Sequence, residues 1–416
     1  MTDTLRKKLY RALVKSDVRM LQALLQQGVS LAYEQEDHFA PFLEAVNCGR
    51  NDLEILQLLL DNGADINARD RYGNDTALHW STNRDAASIL PWLIAHGADI
   101  HATNKFGKTP LLCVVAYLPE DDGDNGTKAT AVALRDCEAL LSAGADINIR
   151  DGNGLTALHI AALNNFPEIG QYLITKGAHI DAADNGGQTA LHIASIAGHF
   201  DFALKLIGSG ANVNLADAGG QTPLHRIADI SPKKLNDDHR NICLAMIDTG
   251  ANLELGDNFG STALCISAMN EDGLSATLIK AGANANANNG EALRNAIFFE
   301  HTLNAEFLLM HGANPNLSDP ENMEGSLHIS AKDWYEDGAR LLVKFGANIE
   351  QQNIDGETPL CVATREEAED VVAFLLNQGA NPEHTDHYGN CPLDWAKRKR
   401  NDTLCKMFQK KIDEQH

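Results

Sequence analysis

The chain is short of positive charge, of long apolar runs and of paired cysteines. Its 416 residues hold 34 Lys and Arg against 57 Asp and Glu, a formal net charge of −23. Phosphate backbones and anionic membranes are gripped by Lys and Arg, so general nucleic-acid or membrane-surface binding is a poor fit. No apolar run approaches the roughly 18–20 residues that a bilayer span requires. The opening residues, Met1 to Lys8, lack the apolar stretch of a secretion signal. The eight cysteines form no C-x-x-C pair, which argues against a zinc ribbon or a thioredoxin-type site. They are also too sparse for a disulfide scaffold. The expected state is reduced, mostly buried thiols in a cytoplasmic protein. The phosphate-cradling G-x-x-x-x-G-K, the G-x-G-x-x-G loop and the G-x-S-x-G nucleophile turn are all missing.

What is present is repetition. A Gly-Ala pair starts at Gly63, Gly97, Gly144, Gly177, Gly210, Gly250, Gly282, Gly312, Gly346 and Gly379, with a weaker copy at Gly28. Their successive spacings are 35, 34, 47, 33, 33, 40, 32, 30, 34 and 33 residues. A second signature runs in phase: Thr76-Ala77-Leu78-His79, Thr156-Ala157-Leu158-His159, Thr189-Ala190-Leu191-His192 and Thr222-Pro223-Leu224-His225. Partial copies begin at Thr109, Thr262, Leu327, Thr358 and Pro392. Glycines before the Thr serve a tight turn with positive φ. The Thr hydroxyl is suited to cap a first helix. A second helix carries apolar residues at helical spacing, and the next Gly ends it.

This pattern resembles the ankyrin repeat and covers about residues 4–410. The resemblance implies an all-α solenoid of about 12 helix-turn-helix units, elongated and curved, in which neighbours bury faces that one unit cannot bury alone. The expected organisation is a single domain: an N-terminal cap unit over about 4–30, internal units over 31–380, a C-terminal cap unit over 381–410 and a tail of 411–416. Insertions fall between helices at 118–131, read as an acidic mobile loop, and at 231–238. A deletion near 287–293 removes a turn tip. Pro91 predicts a late helix start or a kink in its repeat.

Chemistry finds little room. The resemblance gives the His of the Thr-x-Leu-His signature a structural role, with hydrogen bonds within and between repeats. His384 and His387 suggest no third metal ligand by spacing. The reading is no enzyme, no catalytic residue, no metal and no cofactor. The family's implied mode is protein binding through turn tips and the adjacent concave face of the first helices. Arg71, Tyr72 and Asn74 on one tip, Lys105, Phe106 and Lys108 on the next, and Arg84 and Tyr117 on the first helices form the candidate partner-binding set. Arg and aromatics are enriched in binding hot spots. Trp334 and Tyr335, at a turn between helices, make a minor second patch.

The implied partner is a protein, met by a monomer, with no small-molecule substrate, no membrane and no nucleic acid. It would offer acidic or carbonyl-rich groups and an apolar pocket. Three roles are open: an endogenous adaptor, a bacterial or parasite effector delivered to a host cell, and an inhibitor or immunity-type protein whose acidity mimics nucleic acid. The charge is uneven. Residues 1–108 carry net −2, 109–395 net −25 and 396–416 net +4.

Overall fold

The computed structural model describes residues 3–31, 40–48, 52–82, 89–117, 124–231, 233–271 and 274–415. Among them are 24 α-helices and no strand, only two isolated β-bridges, Gly256 with Thr262 and Ser318 with Gly325. The protein is an all-α repeat fold in which short helices pair and the pairs stack. It divides into two compact units, Met1–Asn212 and Val213–His416.

The repeat at 151–178 shows how sequence becomes structure. Asp151 builds the tip: its Oδ1 accepts the backbone N–H groups of Asn153 and Leu155, both at 2.9 Å. Gly154 takes φ +81, and a Cβ there would lie 2.7 Å from the backbone nitrogen of Asn185 on the next tip. Only glycine permits both the left-handed backbone and that approach. Thr156 then starts the helix Ala157–Leu163, and Pro167 opens the second, Pro167–Thr175, where its missing N–H costs nothing. Gly177 (φ +97) closes it: its N–H reaches Ile174 O at 3.0 Å and the Ala178 N–H reaches Leu173 O at 3.0 Å, the paired bonds of a Schellman motif.

The first-helix cap differs from a simple Thr cap. The His159 ring, buried, accepts the Thr156 backbone N–H at Nδ1 (3.1 Å), with the Thr156 hydroxyl 2.8 Å away. Its Nε2–H therefore faces the next repeat and donates to Gln188 O at 3.0 Å. His79 repeats this arrangement with Thr76 and Lys108 O. His328 does so with Glu357 O, although Gly325 stands in the Thr position, because only a backbone N–H is required there. Cys265 and Cys361 replace the His, and each accepts the Thr hydroxyl at 3.4 Å. In the last repeat Asp394 accepts the Cys391 N–H at 3.1 Å. An acceptor-only carboxylate does half of the histidine's work there.

The irregular segments are informative. Pro91 lies in the first turn of a late-starting helix, Leu90–Ala95, as its sequence requires. The insertion at 118–131 is not wholly loop: residues 118–123 lie outside the described set, but a helix runs from Asp124 to Ser142. The run Lys128-Ala129-Thr130-Ala131 has helix-favouring alanines despite lacking an apolar period, and Gly126 does not stop it. In the insertion at 231–238, residue 232 lies outside the described set. That insertion ends in its own cap, Asn236 Oδ1 accepting the His239 N–H at 3.1 Å. At the deletion, Asn288, Asn289 and Gly290 are all left-handed (φ 46, 55 and 74), a one-turn substitute for the missing tip. Asn and Gly are the residues that tolerate this backbone.

Burial is the leading cause that pulls His79, His159, His225 and His328 below the usual histidine range. Protonation would also place a hydrogen on the Nδ1 that must accept. The folded values lie under the unfolded value of about 6.5, so the stabilisation is complete above pH 6.5 and lost as pH falls through the depressed values. The melting temperature should drop between pH 7 and pH 5, above most carboxylate titration. At pH 7, His159→Ala should cost about 2–4 kcal/mol in urea melts, since it leaves a buried N–H and a carbonyl unpaired.

Candidate functional site

The tips at 70–75 and 104–108 are built by the same device as every other tip. Asp70 Oδ1 accepts the Gly73 and Asp75 N–H groups at 2.7 and 3.1 Å. Asn104 Oδ1 accepts those of Phe106 and Lys108, both at 3.0 Å. Asn104 also donates to Asp75 at 2.8 Å, and Lys105 N–H donates to Gly73 O at 2.8 Å, which fixes one tip against the other. With the backbone satisfied internally, the intervening side chains are free to face outward. Tyr72 is 69% and Phe106 55% exposed.

Each aromatic carries a cation. The Arg71 guanidinium sits 4.3 Å from the Tyr72 ring centroid and bonds to the Tyr72 hydroxyl. Lys105 Nζ is 4.9 Å from the Phe106 ring and donates to Tyr72 O at 2.5 Å. Lys105 therefore ties both tips into one group of Arg71, Tyr72, Lys105 and Phe106. A second pair lies behind it: Lys108 Nζ is 5.5 Å from the Tyr117 ring. Burial, then Cys113 and Asp75, hold the Tyr117 phenol above its ordinary range. Asn74 is exposed but serves the turn, with φ +59 and its carbonyl taking Arg69 Nη1 at 3.3 Å. Arg84 lies outside the described residues.

Sequence reasoning missed a second feature, on residues 319–398. Lys332 pairs with Glu324 (3.8 Å), Arg365 with Glu357 (3.0 Å), and Arg398 donates to Asn390 (2.6 Å). Each cation folds back eight positions onto its own tip, in phase with the repeat. Burial opposes the charge of Arg365, but the hydrogen bonds and charge of Glu357 outweigh it and raise its pKa. Arg365, Arg398, Tyr388, Trp395, Glu357 and Asp386 line a cavity of about 530 Å³. The in-phase acid or amide with a base eight residues later stands in the sequence, but the fold-back itself, a choice of rotamer, does not.

The described residues hold no group of three or more His, Cys, Asp or Glu fit for a metal ion, and no helix long and apolar enough to cross a membrane. The thiols are poor nucleophiles. Burial pushes Cys113, Cys137 and Cys243 up to about 12 and Cys265 up to about 11.

A family model described as ankyrin repeats (3 copies) matches residues 42–118, 129–217 and 327–415. The unmatched stretches hold the insertions and the deletion. Cyclin-dependent kinase 4 inhibitor B of Rattus norvegicus is 32% identical over 91 residues, 21% of this chain and 70% of that protein. Cyclin-dependent kinase inhibitor 2A of Homo sapiens is 32% identical over 88 residues, 21% of this chain and 56% of that protein. The human cyclin-dependent kinase 4 inhibitor B is 31% identical over 88 residues, covering 64% of its length.

A thiol reagent applied at pH 8 should therefore modify at most Cys48, Cys391 and Cys405 in the folded protein, and all eight cysteines after unfolding. Fast labelling of Cys113 or Cys137 in the fold would contradict the packing described.

Proposed function

The chain belongs to the ankyrin-repeat family, and from that premise we propose that it is a non-catalytic protein-binding scaffold whose main contact site is the pair of tips at 70–75 and 104–108 with the adjacent Tyr117. The family is in general a binding fold, and a protein–protein interaction role follows from membership. The finer assignment rests on one observation: two exposed aromatic tip side chains, each under its own cation, are joined through Lys105. Such a surface offers apolar area at little entropic cost and cations already positioned. Its partner is a protein with an apolar pocket rimmed by carboxylates or backbone carbonyls. The first 108 residues carry net −2, so this stretch itself adds little repulsion.

A double change, Tyr72→Ala with Phe106→Ala, should leave the circular dichroism spectrum and melting intact, since neither side chain is in the core. Affinity for the partner captured by the parent protein should fall by about 30-fold or more, the range of a lost hot spot. Unchanged capture would refute the site.

A second reading is favoured by the names of the relatives. A chain similar to cyclin-dependent kinase inhibitors is suited to block an enzyme by occupying its surface. Purified protein titrated into cyclin-dependent kinase 4 would then inhibit it, and the same double variant would not. No inhibition at any ratio would leave the adaptor reading alone.

A further inference from the structure

Among the described residues, seven turns between paired helices pass through one left-handed residue. In Met1–Asn212 this position holds small residues among those described, Ser16 (φ 53), Asn165 (φ 55) and Gly198 (φ 70). In Val213–His416 it holds Glu300 (φ 57), Trp334 (φ 61), Glu367 (φ 62) and Arg400 (φ 59), spaced 34, 33 and 33 residues apart. A tryptophan in this conformation is strained where asparagine or glycine would not be. Trp334 gains no burial in return: it is 62% exposed.

The turn is nevertheless held firmly. The Tyr335 N–H reaches Ser330 O at 2.9 Å, and Ser330 Oγ reaches Tyr335 O at 2.5 Å. The Tyr335 ring lies so close to Gly338 that a Cβ there would be 2.3 Å from it. Its hydroxyl bonds to Thr302 and to Glu300 O (3.3 Å). Tyr335 thus locks the turn at 334 against the turn at 298–303 and leaves the Trp334 indole outside. The neighbouring turn adds exposed Phe298, Phe299 and Leu303, with the Phe298 and Phe299 rings edge-on at 5.0 Å.

The rim is acidic. Residues 298–303, 332–337 and 365–369 carry seven Asp and Glu against two basic side chains. Both bases are engaged, Lys332 with Glu324 and Arg365 with Glu357 and Glu366. Glu367 is met by Lys399 (4.0 Å) and Asn401 (3.4 Å) from the next turn, so the acidic side of Trp334 is the Glu300 side. Glu300 and Glu366 lie near enough to Asp333 that, after burial and despite Lys332, their charge helps keep its carboxyl above the ordinary range. An aromatic face inside such a rim attracts cations, and tryptophan is the strongest cation–π partner.

We propose that this inter-helix edge of Val213–His416 is a second protein-docking surface, and that it takes a basic segment of a partner protein, with a Lys or Arg over Trp334 and a further cation on Glu300. It is a different face from the tips at 70–108, so each stands or falls alone. An anionic membrane is repelled by the rim.

The test uses a fluorescein-labelled octapeptide alternating arginine with leucine, read by anisotropy against the full chain in low salt. Its glutamate–leucine counterpart serves as the charge control. Trp334→Asn and Glu300→Gln should each weaken binding by about fivefold or more, while Tyr388→Ala, an exposed tip aromatic elsewhere, leaves it unchanged. Trp334→Asn should melt no lower than the parent, because Asn suits the left-handed backbone. The proposal fails if Trp334→Asn binds as the parent does, or if Tyr388→Ala weakens binding equally. It also fails if Trp334→Asn lowers the melting temperature, which would make Trp334 a packing residue. Retention on phosphatidylserine vesicles, or a concentration-dependent dimer lost in Trp334→Asn, would replace the basic segment with a membrane or a second copy.

Discussion

One hydrogen-bonded bridge sets the terms for the rest of the molecule. A neutral imidazole accepts the N-cap N–H of its own helix and donates to a carbonyl at the tip of the next repeat, as in His79, His159 and His328. The two bonds need opposite roles from the two ring nitrogens, and only one tautomer supplies both. The bridge therefore fixes the helix start and the repeat-to-repeat spacing together. Because it is buried, a missing partner is costly, yet Cys265 and Cys361 stand in the histidine's place within the stack. Asp394 meets only the acceptor demand, in the final repeat.

The same bridge explains why the tips are available for binding. Asp or Asn at the head of each tip satisfies the turn's own N–H groups, and the histidine anchors the tip carbonyl behind it. The backbone needs nothing from the side chains between. Their identity is free to vary without cost to the fold, and function can be written there. Tyr72 and Phe106 stand where the next tip has Asn153, and both are exposed rather than packed into the core.

The fold was legible because its determinants recur. Eleven phased Gly positions and the Thr-x-Leu-His signature each repeat one local physical demand, and the repetition turns weak signals into a firm one. Tip positions were legible for the same reason, and the grouping of Arg71, Tyr72, Lys105 and Phe106 followed from phase. What was not legible depends on side-chain reach or on propensity without a period. The fold-back of Arg365 onto Glu357 is a choice of rotamer. The helix from Asp124 arises from alanine propensity inside a run that carries no apolar stripe. The left-handed turn at 288–290 required knowing that three residues can replace a tip, which a deletion in the pattern does not reveal.

Strain and exposure together say more than either alone. An exposed aromatic is ordinary, since folded surfaces are largely apolar. A left-handed non-glycine residue is also tolerable when Asn occupies it, as at Asn165 and Asn74. Trp334 combines the two without an internal gain, beside Glu300 and Glu367 in the same conformation one repeat away on either side. The fold would be satisfied by Asn at all three. The acidity of the chain, which as a bare number excludes ligands, becomes at this edge a positive statement about the charge of what it meets. At the tips of 70–108 the sign is reversed, with Arg71, Lys105 and Lys108 presented outward or across aromatic rings.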